Sequence, residues 1–419
     1  MLLLRTRRFL PLFLTQFLGA FNDNLLKNAL VMLVTYRLAA QTGDNAQVLV
    51  TLAAGIFILP FFLFSATAGQ LADKFDRSRL TRIIKIAEII IMIFATAGFF
   101  LHSVGFLMFV LFCMGVHSTF FGPIKYALLP QHLHDDELLP GNAYIEAGTF
   151  LAILLGTILG GLLILQAGGL FLISAALISV AVLGLLTSRQ IPVAPPPQPS
   201  LIVSLNLWRE TWRIVGFARV DRSVFLSIIG ISWFWLVGAT FLSQFPPYVK
   251  DVLHAEAEVV TLFLTVFSVG IGVGSFLCNK LLRGQIHSTY VPMAAFGMAL
   301  FGIDLYFASQ HGMGSATLMS LPQFLNDIAG WRIIGDLFLI AISGGLYIVP
   351  LYAIMQHNSA AVHRARIIAA NNVVNALFMV TSALFTLMML SLSFSIPQVF
   401  LAISVANGLV ALYIRKLRS

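Results

Sequence analysis

Runs of about twenty consecutive apolar residues recur along the whole 419-residue chain, and they restrict it to one kind of fold. At 1.5 Å of rise per residue, about twenty residues of helix cross the hydrocarbon core of a bilayer. Lipid gives a bare backbone no hydrogen-bond partner, so a spanning run must close its own bonds as a helix; barrel strands are shorter and alternate. The chain is 59% hydrophobic and 10% charged, with a mean hydropathy of +0.92. An ordinary soluble domain carries about a quarter charged residues, so this chain cannot clothe a water-facing surface. Spans are expected at 9–36, 48–68, 80–101, 104–128, 142–166, 169–188, 222–248, 258–282, 289–309, 333–356, 366–391 and 394–414. The expectation is an all-α membrane protein with twelve transmembrane helices.

The net charge of +8 does not indicate a nucleic-acid partner, because the basic residues lie between the apolar runs rather than along one aromatic-laced face. They gather at Arg5–Arg8, Lys74–Arg82, Arg189–Arg222, Lys280–Arg283, Arg364–Arg366 and Arg415–Arg418, while the other side has only Arg37, Lys250 and Arg332. The positive-inside rule therefore places both termini in the cytoplasm. Arginines ahead of the first apolar stretch resemble a signal peptide, yet Asn22-Asp23-Asn24 follows without a small-residue cleavage site, so an uncleaved first span is expected. Cys113 and Cys278 fall in separate spans, which argues against a disulfide or a cysteine metal site. The segment 189–221 holds Pro192, Pro195, Pro196, Pro197 and Pro199 and divides a bundle at 1–188 from one at 222–419. Its second part, Leu205 to Val220, sets Trp208 and Trp212 beside Arg209, Arg213 and Arg219, a composition suited to a helix on the inner leaflet. The halves echo each other: Pro123 and Pro350 are offset by 227 residues, and Asn142/Glu146 and Asn371/Asn375 by 229. Two parallel six-span bundles leave such a repeat.

Polar residues inside the spans are the candidate site. In the first span Asn22, Asp23, Asn24, Lys27 and Asn28 fall within seven positions, where each charge at mid-helix costs roughly 2.5–3.5 kcal/mol on insertion scales. Asp23 and Lys27, one turn apart, can partly neutralise each other. Such a face lines a cavity as a binding site or forms a polar latch between helices. Lys125 and Tyr126 end the fourth span, where Lys125 either snorkels to headgroups or binds substrate. Asn142 and Glu146 begin the fifth; Lys85 and Glu88 read as a local i,i+3 pair. The second half offers Gln244, Tyr352, Gln356, Asn371 and Asn375, a neutral set facing a charged first half, as a polar head on a large apolar body would want. Aromatics of span seven, Trp233 to Tyr248, read as packing, lipid-facing or acyl-contacting groups, and Pro246-Pro247 as the break that ends that helix.

No catalytic pattern competes. Gly270-Ile271-Gly272-Val273-Gly274 lies within a span and has no phosphate-loop lysine, so helix packing accounts for it. No nucleophile elbow, metal-spaced His/Cys cluster or acyltransferase H-x-x-x-x-D motif is present. Neither an enzymatic activity nor a cofactor is expected.

Between spans two and three, Gly69-Gln70-Leu71-Ala72-Asp73-Lys74-Phe75-Asp76-Arg77-Ser78-Arg79 resembles the G-x-L-a-D-r-x-G-r-r loop of the major facilitator superfamily, with Asp76 in place of the second glycine. The resemblance implies that fold, and a cytoplasmic gate built on Gly69, Asp73, Arg77 and Arg79. Phe21-Asn22-Asp23-Asn24, Pro123-Ile124-Lys125-Tyr126 and Asn142-Ala143-Tyr144-Ile145-Glu146-Ala147-Gly148-Thr149 are similar to motifs of the superfamily's lysophospholipid transporters, as is Ser343–Leu351. That family flips lysophosphatidylethanolamine and lysophosphatidylglycerol inward across the bacterial inner membrane by alternating access. The chain also resembles the transporter portion sometimes fused to an acyltransferase/acyl-carrier-protein synthetase; here such an enzyme is expected to be separate, and the transporter a monomer among membrane lipids. Some relatives have an arginine in span seven where this chain has Ala239-Thr240-Phe241, which leaves the phosphate to Lys125 or Lys27. The alternative is a proton-coupled exporter of amphipathic drugs, whose fifth span often carries a glycine–proline motif; Gly156–Gly161 has the glycines and no proline.

Overall fold

A computed structural model describes residues 3–34, 46–310 and 318–417, with side chains left aside at 46–48. Arg37, Arg418 and positions 35 and 36 of the expected first span lie outside the described residues. The long helices are α1 (Leu10–Leu33), α2 (Ala46–Lys74), α3 (Arg77–Phe100), α4 (Val104–His132), α5 (Asp135–Leu165) and α6 (Gly169–Ser188). After the connector and its helix α7 (Leu207–Val220) come α8 (Arg222–Pro247), α9 (Ala257–Leu282), α10 (Val291–Ala308), the short α11 (Leu321–Asn326), α12 (Ile328–Asn358), α13 (Arg364–Ser391) and α14 (Ile396–Ile414). Eleven of them are long and apolar enough to cross a membrane. The twelfth expected span, α1, is 24 residues long and falls outside that group because its polar cluster lowers its hydropathy.

Helix α3 shows how such a chain sorts its residues. Ile83, Ile86, Ile90, Ile93 and Phe94 are exposed, whereas Ser78, Thr81, Lys85, Glu88 and Met92 are buried. The helical period is that of a soluble amphipathic helix with the faces inverted, as lipid demands. Two boundaries differ from expectation for local reasons. Helix α5 begins seven residues early, at Asp135, because His134 and Glu137 form a reciprocal cap and three acidic residues occupy the positive end of the helix. Helix α8 is not broken at Pro246-Pro247: it runs through both and widens into a π-turn at Tyr248–Val252. Tyr248 is buried there and its hydroxyl meets Ser309 Oγ at 2.6 Å.

The chain forms two compact units that cut across the chain-order division in two places. One comprises Met1–Gly141, Leu151–Asp221 and Gln356–Ala376; the other comprises Asn142–Phe150, Arg222–Met355 and Leu377–Ser419. Within the first, α1 packs on α6, α3 lies against α4 and α6, and α2 carries both α4 and α7. Within the second, α10 packs on α14, and α8 touches α9 and α14. Glycines set the approach of α1 to α5: a Cβ at Gly156 would fall 2.5 Å from the Phe21 carbonyl oxygen, and one at Gly160 2.6 Å from that of Leu25. Both obstacles are backbone, so neither can swing aside. Gly160→Leu is therefore expected to reduce correctly folded protein sharply, measured as monodisperse yield from membranes. Wild-type yield in that variant would contradict the close packing of α1 on α5.

Candidate functional site

The polar face of α1 is met by α3 and α4. Glu88 accepts hydrogen bonds from Lys85 Nζ (2.7 Å) and Asn22 Nδ2 (2.9 Å), and His117 Nε2 stands 3.3 Å from the same carboxylate. All four side chains are buried. The Lys85 ammonium also faces the Phe121 ring at 4.9 Å, and a Cβ at Gly19 would lie 2.7 Å from Nζ, so a glycine on α1 makes room for it. The sequence reading of Lys85 and Glu88 as a local pair thus captures one edge of a network that joins three helices. His117 and Ser118 were missed; the signal for them is the polar run His117-Ser118-Thr119 inside an apolar span.

Asp23 and Lys27 form no direct salt bridge among the described residues, although their charges still attract across one helical turn, so the neutralisation expected at i,i+4 is partial. Asp23 Oδ2 accepts from Ser118 Oγ at 2.7 Å, and its Oδ1 is buried with no partner among the described residues. Lys27 Nζ stands over the Phe57 ring, 4.5 Å from its centroid. The two helix rotamers separate because α4 offers a hydroxyl and α2 an aromatic face. Asn24 and Asn28 are spent on backbone carbonyls, those of Ala20 and Thr157.

A second cluster surrounds Asp73 at the end of α2. Its carboxylate accepts from Arg77 Nη2 (3.0 Å), from Arg366 Nε (3.0 Å) and from the backbone amides of Ala365 and Arg366. These amides open α13, so Asp73 serves as an anionic cap at the positive end of that helix. Gly69 makes the approach possible, since a Cβ there would lie 2.9 Å from Arg366 Cα. Arg77 continues to Gln131 Oε1 (2.8 Å), and Arg366 Nη2 to Gln198 Oε1 (2.6 Å). Arg79 takes a different place: its side chain is exposed, and its backbone amide donates to Asp76. Asp76 caps α3 and accepts from Ala194 N as well, which explains an acid where a glycine is usual. Burial raises its carboxyl, but hydrogen bonds from Ser78, Arg79 and Ala194 outweigh that and hold it below the ordinary value. Arg366, counted in the sequence only as a cytoplasmic charge, is the partner that reading missed.

The remaining candidates are divided. In the first unit Lys125 Nζ lies over the Tyr126 ring (4.6 Å), Gln356 is buried and Asn375 half-buried. Asn371 is fully buried, with neither side-chain polar atom hydrogen-bonded among the described residues, and Asn372 Nδ2 likewise lacks a partner. In the second unit Asn142 and Glu146 are buried on α5, two turns and one turn ahead of Phe150, which stacks on Trp235 at 6.0 Å. Trp235 donates to the Tyr352 hydroxyl (3.2 Å). Gln244 stands apart, donating to Ser243. The span-seven aromatics are mostly packing: Phe241 stacks on Phe400, Phe245 meets Phe263 edge-on, and Trp233 donates to Asn407.

Two outcomes test this geometry. Removing one partner of a buried ion pair costs about 3–5 kcal/mol, whereas removing both costs far less. Lys85→Met should therefore lower the unfolding temperature in detergent more than Lys85→Met/Glu88→Gln does; the reverse order would mean that the pair is not a unit. The second concerns His363. Its Nδ1 lies 2.6 Å from Arg366 Nη2, a donor only, so the imidazole accepts and is neutral. Burial and the Arg366 guanidinium hold its pKa below the usual value. Its contribution to stability is thus complete above the unfolded-state pKa and lost as pH falls through the folded one. His363→Asn, which keeps an acceptor without titrating, should lose less stability on acidification than the wild type; identical acid profiles would remove His363 from the cluster.

Comparison with known proteins follows the same lines. The Major Facilitator Superfamily profile matches residues 12–382. The lysophospholipid transporter LplT of Enterobacter sp. (strain 638) is 30% identical over 353 residues, 81% of this chain and 78% of that protein. The protein of the same name from Pectobacterium carotovorum is 27% identical over 370 residues, 86% and 81% of the two chains. Among solved structures, the human organic anion transporter MFSD10 superposes with a TM-score of 0.74 at 13% identity, covering 97% of this chain and 99% of that one. The transporter FucP superposes at 0.72 with 12% identity over 98% of both. These two likenesses bear on the fold alone. The chain is a multi-pass membrane protein of the major facilitator superfamily and belongs, within it, to the family of the lysophospholipid transporters.

Proposed function

We propose that this protein carries lysophospholipids inward across the bacterial inner membrane by alternating access, with both termini in the cytoplasm. The observation that supports it best is the separation of Asp23 and Lys27. Asp23, with one carboxylate oxygen that has no hydrogen-bond partner among the described residues, and Lys27, whose ammonium faces the Phe57 ring, stand one turn apart on α1 and form a complementary pair for a zwitterionic headgroup. Lys27 and Lys125 take the phosphate, with the amides of Asn371 and Asn375; Asp23 and Glu146 take an ammonium. The network of Asn22, Lys85, Glu88 and His117 positions Asp23 rather than touching lipid. Asn142, Tyr126, Gln244, Tyr352 and Gln356 complete the polar set, and the acyl chain stays along apolar helix faces.

The Asp73 cluster is assigned to the cytoplasmic gate: Gly69 admits α13, and Arg77 and Arg366 hold the aspartate on its first amides. Arg79 contributes through the Asp76 cap. The named function of the relatives favours lysophospholipid over an amphipathic drug. The product goes to a separate acyltransferase/acyl-carrier-protein synthetase, and the transporter acts as a monomer.

Proteoliposomes loaded with labelled lysophospholipid test the assignment. Asp23→Asn at matched membrane levels should lower uptake at least about tenfold, since losing one partner of a desolvated charge contact costs about 2–5 kcal/mol. Glu146→Gln should harm lysophosphatidylethanolamine more than lysophosphatidylglycerol, because only the former brings an ammonium. Full uptake by Asp23→Asn, or equal loss for both lipids in Glu146→Gln, would contradict the headgroup site.

A further inference from the structure

We propose that α7 is a sensor of anionic membrane lipid that tightens the Asp73–Arg366 cluster through Phe217. The helix has two faces of different kinds. Glu210, Ile214 and Ala218 are buried at successive turns, while Trp208, Trp212 and Val220 are 66%, 72% and 86% exposed. Arg209, Arg213 and Arg219 flank the exposed aromatics. Large apolar groups and guanidinium groups on one exposed face suit the boundary between headgroups and acyl chains.

The position of α7 fits that boundary. Its first tryptophan meets Phe62 edge-on, 6.0 Å between centroids, and Phe62 lies about 18 Å along α2 from Lys74, twelve residues at 1.5 Å each. Just before α7, Ser204 exchanges backbone hydrogen bonds with the Gln70 amide, in the last turns of α2. Helix α7 therefore starts beside the flank of a spanning helix, where acyl chains lie. Its other end returns to the charged loop, for Phe217 stacks on His363 at 4.6 Å with the rings 9° apart. The guanidinium of Arg366 stands 5.3 Å from the Phe217 centroid and that of Arg213 5.7 Å. Arg366 in turn binds Asp73 and Gln198, and Gln198 N donates to the Asp73 carbonyl. The connector is thus continuous from the exposed tryptophans to the salt bridge.

The occupant is the anionic leaflet itself. The exposed face of α7 presents arginines, its one acid, Glu210, is buried and bonded to Arg213, and a spanning chain brings its leaflet with it. A leaflet that seats α7 holds Phe217 against Arg366 and so favours the closed cluster; by linkage, a closed cluster favours seating. The inference does not depend on which lipid is transported.

Hydrogen–deuterium exchange of the full chain in nanodiscs tests it, with phosphatidylcholine alone or mixed with phosphatidylglycerol. Phosphatidylglycerol should slow exchange both in α7 and at Arg364–Ile368. Arg209→Gln/Arg219→Gln should weaken both effects, by roughly fivefold for each arginine removed. Phe217→Ala should keep the protection of the first turns of α7 and lose that at Arg364–Ile368. No lipid-charge effect on α7, or full protection in the arginine variant, would overturn the leaflet as its occupant. Undiminished protection at Arg364–Ile368 in Phe217→Ala would overturn the coupling.

Discussion

Every charge placed inside these bundles must find a partner or a use, because hydrocarbon supplies neither water nor counter-ion. Glu88 shows the constraint at its strictest. One carboxylate takes the ammonium of Lys85, the amide of Asn22 and the imidazole of His117, and so fixes α1, α3 and α4 to one another. Coulomb attraction in a medium of low dielectric is large, but it offsets the cost of dehydration only when the remaining lone pairs are also met. Asn22 performs that task, and Gly19 leaves the space for Lys85.

Beside that network, in which Asn22 Oδ1 and His117 Nδ1 have no hydrogen-bond partner among the described residues, Asp23 and Lys27 are also satisfied only in part by their neighbours. Ser118 binds one carboxylate oxygen and the Phe57 ring faces the ammonium. A carboxylate shared by three helices, as Glu88 is, holds them together, whereas a group met by a single neighbour has affinity left for a substrate. Under the proposed function, a headgroup carrying both signs would meet both residues at once.

Much of this was legible in the sequence. Apolar runs located the spanning helices because hydropathy and length are set by bilayer thickness, and the α1 polar cluster stood out because burial there is costly. The loop from Gly69 to Arg79 was recognisable by its spacing. Partner choice was not. The i,i+4 rule joins Asp23 to Lys27 only if no other helix competes, and Ser118 and Phe57 lie 95 and 30 residues away in the chain. Arg366 could be read from sequence as one more cytoplasmic charge, since its value lies in reaching Asp73 across 293 residues. The break expected at Pro246-Pro247 failed for a related reason: a π-turn and the buried Tyr248 anchor retain the helix where local propensity ends it.

The central claim is that Lys27 meets the phosphate of the substrate. Solid-state NMR can measure it directly, through the dipolar coupling between the ³¹P of lysophosphatidylethanolamine and the ¹⁵N of lysine side chains in the full-length protein, assigned with Lys27→Gln and Lys125→Gln. The account predicts couplings of contact range to both lysines, with the Lys27 contribution lost in Lys27→Gln while that of Lys125 remains. Persistence of the whole coupling in Lys27→Gln, or its complete dependence on Lys125, would contradict it.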